Sequence, residues 1–334
     1  MRIIQVGVGS FGPTWLERIQ RESGSTLAAL VDLDPEALER ARARAGLVAS
    51  QCFTDYRDAF AEVKADAVLN ATPPRVHHEV ALAAFEAGLH VLTEKPVADT
   101  MANGRLMVQA AQDAGRVLMV SQNYRFRPWA RTMRELITSG KFGAPDSISI
   151  RFAKALTFDG TFRFTMDHPL VRDMSIHHFD LVRALTGREP ISVYARTWRP
   201  SWSWFEHDPC AAVLFEFEGG LEVVYEGSWV TRGRETTWDG YWNVECEDAV
   251  IELRGDRVHI TPAGHPDQDT EVEIGSRTAS GQTAALIELQ ESIIEGREPE
   301  TSGRDNLRSM AMSFAAMESS DRRRPVSIEE VLAE

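Results

Sequence analysis

Val6-Gly7-Val8-Gly9-Ser10-Phe11-Gly12 follows the short run Ile3-Ile4-Gln5-Val6 near the start of the chain. A strand that turns through this glycine spacing into a helix is built to hold a pyrophosphate. Gly7 permits the tight turn, Gly9 lets backbone reach the phosphates, and Gly12 lets the helix pack close to its strand. The helix start, with Ser10 and Phe11 in the loop, offers free N–H groups and a positive dipole end to the anion. Pro13 suits the first helical turn, where a missing donor costs nothing. Asp32 closes the next strand-like run, Leu27-Ala28-Ala29-Leu30-Val31, twenty residues after Gly12. A carboxylate there accepts hydrogen bonds from ribose hydroxyls and repels a 2′-phosphate, so the expected cofactor is NAD in preference to NADP.

Working outward, 334 residues exceed what one hydrophobic core usually serves, and two domains are expected. Hydrophobic content of 43% and charged content of 26% are those of a folded soluble protein. A net charge of −14 argues against nucleic acid or an anionic membrane as partner, because no counterion release would drive binding. Cys52, Cys210 and Cys246 are scattered without metal-ligand spacing, which suggests reduced thiols in a cytoplasmic protein. No run approaches membrane-spanning length, and the first residues go straight into a strand without the features of a leader.

Residues 1–122 alternate short apolar runs with helical patterns, the signature of a parallel sheet covered by helices on both faces. Asp34-Pro35 opens a helix that stops near Gly46, and Val68 to Thr72 reads as a strand leading into Pro73-Pro74. A helix from Arg75 to Ala87, then strands at His90–Thr93 and Val117–Val120, complete this Rossmann-like pattern. Residues 123–334 change rhythm. A helix at 128–138 and another at 175–185 accompany alternating runs at 146–152, 193–198, 211–217, 221–230 and 249–253. These favour an α/β domain with a large, mostly antiparallel open sheet. Two late helices, 283–294 and 306–317, close the chain. Helices on one side leave the other sheet face to be covered by a second subunit.

Two constellations carry chemistry. Glu94-Lys95-Pro96 ends a strand at the ligand edge, where a partly desolvated lysine can polarise a substrate oxygen. In Asp173-Met174-Ser175-Ile176-His177-His178-Phe179-Asp180, a helix puts Asp173 and His177 on one face, so the carboxylate can orient an imidazole acting as acid and base. His178 points elsewhere on such a helix, and Asp180 suits a pair with Arg183. No metal site is expected, since no further ligand is placed and nicotinamide chemistry needs none.

The glycine loop, Ala71-Thr72-Pro73-Pro74 with His77, Gly88 to Pro96, and Asp173 to Asp180 follow in the order and spacing of the Gfo/Idh/MocA oxidoreductases, and the chain resembles that family over nearly its whole length. The resemblance implies a Rossmann domain joined to an α/β domain that commonly forms dimers or tetramers. It implies that Lys95, Asp173 and His177 are catalytic and touch substrate. It also implies that Thr72, Pro73, His77, Glu94 and Lys95 join the glycine loop and Asp32 at the cofactor, and that the Lys95–Pro96 peptide is often cis. Many members carry Gly-Gly shortly before the aspartate; this chain has His168-Pro169-Leu170-Val171-Arg172.

Tyr124 and Arg125, just after the last Rossmann strand, are expected at the substrate, with an ion pair as the competing role for Arg125. The aromatic segment Trp198 to Phe205 suits either a carbohydrate wall or a subunit interface. The expected activity is NAD-dependent hydride transfer at a secondary alcohol of a sugar, polyol or cyclitol. The alternatives are an NAD-using glycoside hydrolase working by transient oxidation, and a non-catalytic dinucleotide-binding regulator.

Overall fold

The computed structural model describes residues 1–9, 11–21, 24–158, 161–276 and 279–334. The chain forms two compact units, Met1–Phe126 with Thr278–Leu307, and Arg127–Arg277 with Arg308–Glu334. In the first unit the elements run β1 (Arg2–Val6), α1 (Gly12–Arg21), β2 (Thr26–Val31), α2 (Pro35–Ala45), β3 (Cys52–Phe53), α3 (Tyr56–Glu62), β4 (Ala67–Asn70), α4 (His77–Glu86), β5 (His90–Thr93), α5 (Met101–Asp113) and β6 (Leu118–Val120). The strands pair in parallel in the order β3-β2-β1-β4-β5-β6. Strand order reverses between β1 and β4, and in such sheets ligands bind in the crevice beyond the carboxyl ends at that reversal. Gly7 and Ala71 follow those two strands directly.

Local chemistry sets the helix ends. The Asp34 carboxylate accepts the Glu36 N–H at 2.9 Å, a cap of about 1 kcal/mol, and Gly46 closes α2 with φ +70°. Residues buried on both sheet faces make the strands almost continuously apolar, as parallel sheets require.

The second unit contains α6 (Pro128–Thr138), β7 (Pro145–Ala153), α7 (Ile176–Thr186), β8 (Pro190–Trp198), β9 (Cys210–Phe217), β10 (Leu221–Ser228), β11 (Tyr241–Cys246), β12 (Ala249–Arg254), β13 (Arg257–Pro262) and β14 (Thr270–Val272). The chain then passes through α8 (Gly281–Glu295) and α9 (Gly303–Arg322) to β15 (Val326–Ser327) and α10 (Ile328–Ala333). Nine strands pair in the order β14-β13-β12-β11-β7-β10-β9-β8-β15, all antiparallel except β7 with β10. Alternation is clean in β8, β9 and β10: Val193, Phe215 and Val223 are buried, while Tyr194, Leu214 and Val224 face outward.

The compact units depart from the division read from sequence, 1–122 and 123–334, by taking Asn123–Phe126, helix α8 and the residues through Leu307 into the first unit. Helix α8 belongs to the first unit, where Ala285, Leu286 and Leu289 share a core with Ile3, Trp15, Leu16 and Leu30. Each fully buried leucine is worth about 1.5–3 kcal/mol, so the helix is integral to that core. The period of a helix reveals its apolar face but not which core the face covers.

Candidate active site

Sterics account for Gly7 and Gly12 of the glycine loop. Gly7 has φ +94°, and a Cβ there would lie 2.6 Å from the Ala71 carbonyl oxygen, so only glycine lets β1 and β4 end side by side. A Cβ on Gly12 would lie 2.6 Å from the Gly7 oxygen. Gly9 differs: a Cβ there would meet no described atom within 4 Å, leaving room at the helix N-terminus for a ligand's phosphates. The buried Gln5 amide donates to the Gly7 and Gly12 carbonyls, both at 3.0 Å, and holds the loop from below. The Asp32 carboxylate accepts the Val8 N–H at 2.8 Å and the Asp34 N–H at 2.9 Å, fixing its orientation. Phe11 is half-exposed, and Ser10 lies outside the described residues. Open space at Gly9, helix N–H groups and an oriented carboxylate at Asp32 together fit a dinucleotide.

Two further loops reach the same sheet edge. After β4, the buried Asn70 carboxamide accepts from both the Thr72 N–H (3.3 Å) and hydroxyl (2.7 Å) and donates to the His77 carbonyl (3.1 Å). This shapes the turn bearing Thr72 and Pro73. After β5 comes Glu94-Lys95-Pro96, with the Lys95–Pro96 peptide cis, as the resemblance implied. The Glu94 carboxylate accepts the Trp15 indole N–H at 2.8 Å and the Lys95 N–H at 3.2 Å. Burial pushes its pKa up, against the Lys95 charge and these donors. Lys95 is half-buried at this tip.

His77 has a bracing role that its place in the motif does not show. It is fully buried, with Nε2 2.8 Å from the Thr72 oxygen and Nδ1 3.0 Å from the Pro96 oxygen. Both ring nitrogens are occupied by backbone, so the ring braces the Thr72 and Pro96 loops against each other. Burial lowers its pKa, opposed by the two carbonyls. For Arg125 the structure shows the ion pair, one of the two roles expected of it. Its buried guanidinium pairs with Asp305 at 2.7 Å and donates to the Glu300 carbonyl at 3.1 Å, so it anchors the first turn of α9 and the residues just before it, all within the first unit. Tyr124 is buried in the same turn, Asn123–Phe126.

In the second unit, Asp173 lies in a π turn, Val171–Ser175, that runs directly into α7. Such widened turns occur frequently at functional sites. His177, in the first turn of α7, is buried to 8% exposure. Arg163 approaches Asp173 with its fork: Nε lies 2.6 Å from one carboxylate oxygen and Nη2 3.3 Å from the other. The guanidinium also covers the Phe158 and Phe162 rings at 5.4 and 4.8 Å. His168, near the glycine pair of many relatives, has φ +45°, a backbone state glycine adopts freely. Its ring meets the Thr197 hydroxyl at 2.9 Å and Asp321 at 3.3 Å, contacts that fix its side chain there.

The remaining groups of this motif serve the fold. His178 is fully buried against Phe152, Tyr225 and Trp242, and burial pushes its pKa down to about 3. Asp180 accepts the Ser309 hydroxyl at 2.6 Å, while Arg183 donates to Ser309 at 2.8 Å and grips Glu189 with two bonds. In the aromatic segment, the Trp202 and Trp204 indoles donate to the Val230 and Leu156 carbonyls and Phe205 is buried, so it pins neighbouring loops while Trp198 stays exposed. Sequence reading missed Gln5, Trp15, Asn70 and Arg163 as supports. A buried polar residue inside an apolar strand was the available signal for Gln5 and Asn70; Arg163 had none.

Comparison with known proteins agrees with this architecture. Residues 1–122 match the oxidoreductase family with an NAD-binding Rossmann fold, and residues 130–257 match the GFO/IDH/MocA C-terminal domain. The chain is 32% identical to an uncharacterised protein of Sinorhizobium fredii, covering 99% of this chain and 96% of that one. It is 29% identical to a D-apiose dehydrogenase of Paraburkholderia graminis, covering 98% and 90%. An oxidoreductase from Agrobacterium radiobacter, solved with NAD+, L-tartaric acid and magnesium, shares the fold at TM-score 0.90 and 23% identity, covering 99% of each chain.

Proposed function

Because the chain belongs to the Gfo/Idh/MocA oxidoreductase family, we propose that it oxidises a secondary alcohol of a sugar, polyol or cyclitol, with NAD as partner. The observation that carries this reading is that one chain holds the residue types of an acid–base set, Lys95 with Asp173 and His177, and a first unit whose glycine loop suits a dinucleotide. A regulator that only binds has no use for that set. The D-apiose dehydrogenase relative supports a sugar-like substrate.

NAD, when bound, supplies the hydride acceptor. The loop Gly7–Gly12 and the start of α1 hold its pyrophosphate through backbone N–H groups, and Asp32 accepts from its ribose hydroxyls. Leu33, 88% exposed, and Asp34 follow Asp32, so the immediate sequence offers no cation to a 2′-phosphate, which favours NAD over NADP. Lys95 donates to the reacting oxygen and stabilises the negative charge that develops there. His177 takes the hydroxyl proton on a ring nitrogen, and Asp173, held in place by Arg163, is the carboxylate that orients it.

The exposed sheet face supports a homodimer or homotetramer. Tyr194, Leu214 and Val224 lie consecutively across β8, β9 and β10 and are 39%, 44% and 51% exposed. Three free thiols suit the reducing cytoplasm. The test is purified protein with NAD or NADP against a panel of sugars, polyols and cyclitols, read by absorbance of the reduced nicotinamide. Reduction of NAD by at least one member of the panel is expected. Release of free sugar from a glycoside without net NADH would replace this reading with transient oxidation.

A further inference from the structure

We propose that His77 is the joint through which cofactor binding places Lys95. The inference rests on the hydride-transfer reading above for the role of Lys95. The imidazole lies between two loops that the chain separates by some twenty residues: Nε2 faces the Thr72 oxygen at 2.8 Å and Nδ1 faces the Pro96 oxygen at 3.0 Å. Thr72 is in turn fixed by Asn70, whose carboxamide also holds the His77 carbonyl. Thr72, Asn70 and His77 therefore close one ring of contacts, and the imidazole extends it, through its contact with the Pro96 oxygen, to the residue after Lys95. A ligand that orders Thr72 and Pro73 also orders the lysine through this bridge.

The bridge has two separable halves. An uncharged imidazole carries one N–H, so one contact is a hydrogen bond and the other sets a ring lone pair against a carbonyl oxygen. An imidazolium would donate to both, but complete burial opposes the charge. Asparagine keeps a donor near the Nδ1 position, toward Pro96, and glutamine keeps one near the Nε2 position, toward Thr72. Each variant is expected to preserve one half and lose the other, which a residue needed only for folding would not do. His77 is thus a positioning residue.

The experiment compares wild type with His77→Asn and His77→Gln in the full chain. It measures NAD affinity by equilibrium titration, turnover at saturating NAD, and amide hydrogen exchange with and without NAD. His77→Gln should keep the NAD dissociation constant within about threefold and lose at least about tenfold in turnover. His77→Asn should weaken NAD at least about fivefold and retain more turnover than His77→Gln. In wild type, NAD should slow exchange at Thr72 and at Lys95, Val97 and Ala98 together; in His77→Gln the slowing at Lys95 to Ala98 should fall at least about fivefold. Equal proportional losses of affinity and turnover in both variants, or NAD protection of the lysine segment unchanged in His77→Gln, would overturn the proposal. If wild type binds NAD but turns over no alcohol, the hydride-transfer reading fails, and the exchange comparison still decides whether His77 couples the two loops.

Discussion

The two units hold their chemistry in different ways. In the first, Gln5, Trp15, Asn70 and His77 reach from within the fold to carbonyls and carboxylates of the loops, so the cofactor edge is braced by the core itself. In the second, Asp173 sits on a widened turn and is held by Arg163, which arrives from the short turn Phe162–Thr165 and is partly exposed. A dinucleotide presents the same shape to every enzyme that uses it and rewards a rigid cradle. Substrates vary, and a site held by a loop arginine can change with the loop. On the proposed reading, cofactor binding rests on packed supports and substrate choice on surface turns.

Substitutions at four residues probe that contrast. The largest effect is expected from Arg163→Met, which removes the fork from Asp173 and should cost up to about 100-fold in turnover while NAD affinity holds. Arg163→Lys keeps the charge but not the two-point grip and should recover only part of the loss, measured by steady-state kinetics. An unchanged rate in Arg163→Met would show that the second unit needs no such support.

Next come the glycines. Gly12→Ala drives a Cβ to 2.6 Å from the Gly7 oxygen and should lower stability by about 1–3 kcal/mol in denaturant unfolding. Gly9→Ala meets no described atom and should leave stability within about 0.5 kcal/mol, yet weaken NAD in titration because the methyl enters the phosphate space. If both behave alike, the division between support and ligand space in this loop is wrong.

The smallest effect concerns His178. Its pKa is about 3 in the folded state against 6.5 for an ordinary histidine, so between those values the unfolded chain binds a proton that the folded chain refuses. Stability from this group is therefore full above about 6.5 and declines as pH falls toward 3. Replacing His178 with phenylalanine should flatten that acid-side decline in pH-dependent unfolding. A steeper decline would mean the imidazole is protonated within the fold.

Sequence legibility followed the range of the interactions. The ends of α2 were readable because Asp34 and Gly46 act within a few residues, and the glycine loop because its demands are steric and local. The exposed and buried faces of β8 to β10 followed from alternation alone. Helix α5 escaped notice because Asn103 and Gly104 in its first turns are poor helix formers, outweighed by the burial of Met101, Met107 and Ala111. The outer strands β13 and β14 escaped too, since few of their residues are buried and the alternation fades. For the site, residue types and spacing indicated Lys95, Asp173 and His177, but not the supports. Gln5, Asn70 and Trp15 act across turns or between elements, and the π turn at Asp173 keeps the same four-residue spacing a regular helix would show. The partners of His77 and Arg125 were not legible, because a motif shows which residue is present, not which carbonyl or carboxylate it meets.

The central claim is that this chain oxidises an alcohol with NAD through Lys95. Lys95→Ala, assayed for NAD reduction on the best substrate of the panel and for NAD binding by titration, tests it most directly. Turnover should fall at least about 100-fold with the NAD dissociation constant within about threefold of wild type. A variant that still reduces NAD at near the wild-type rate would contradict the account.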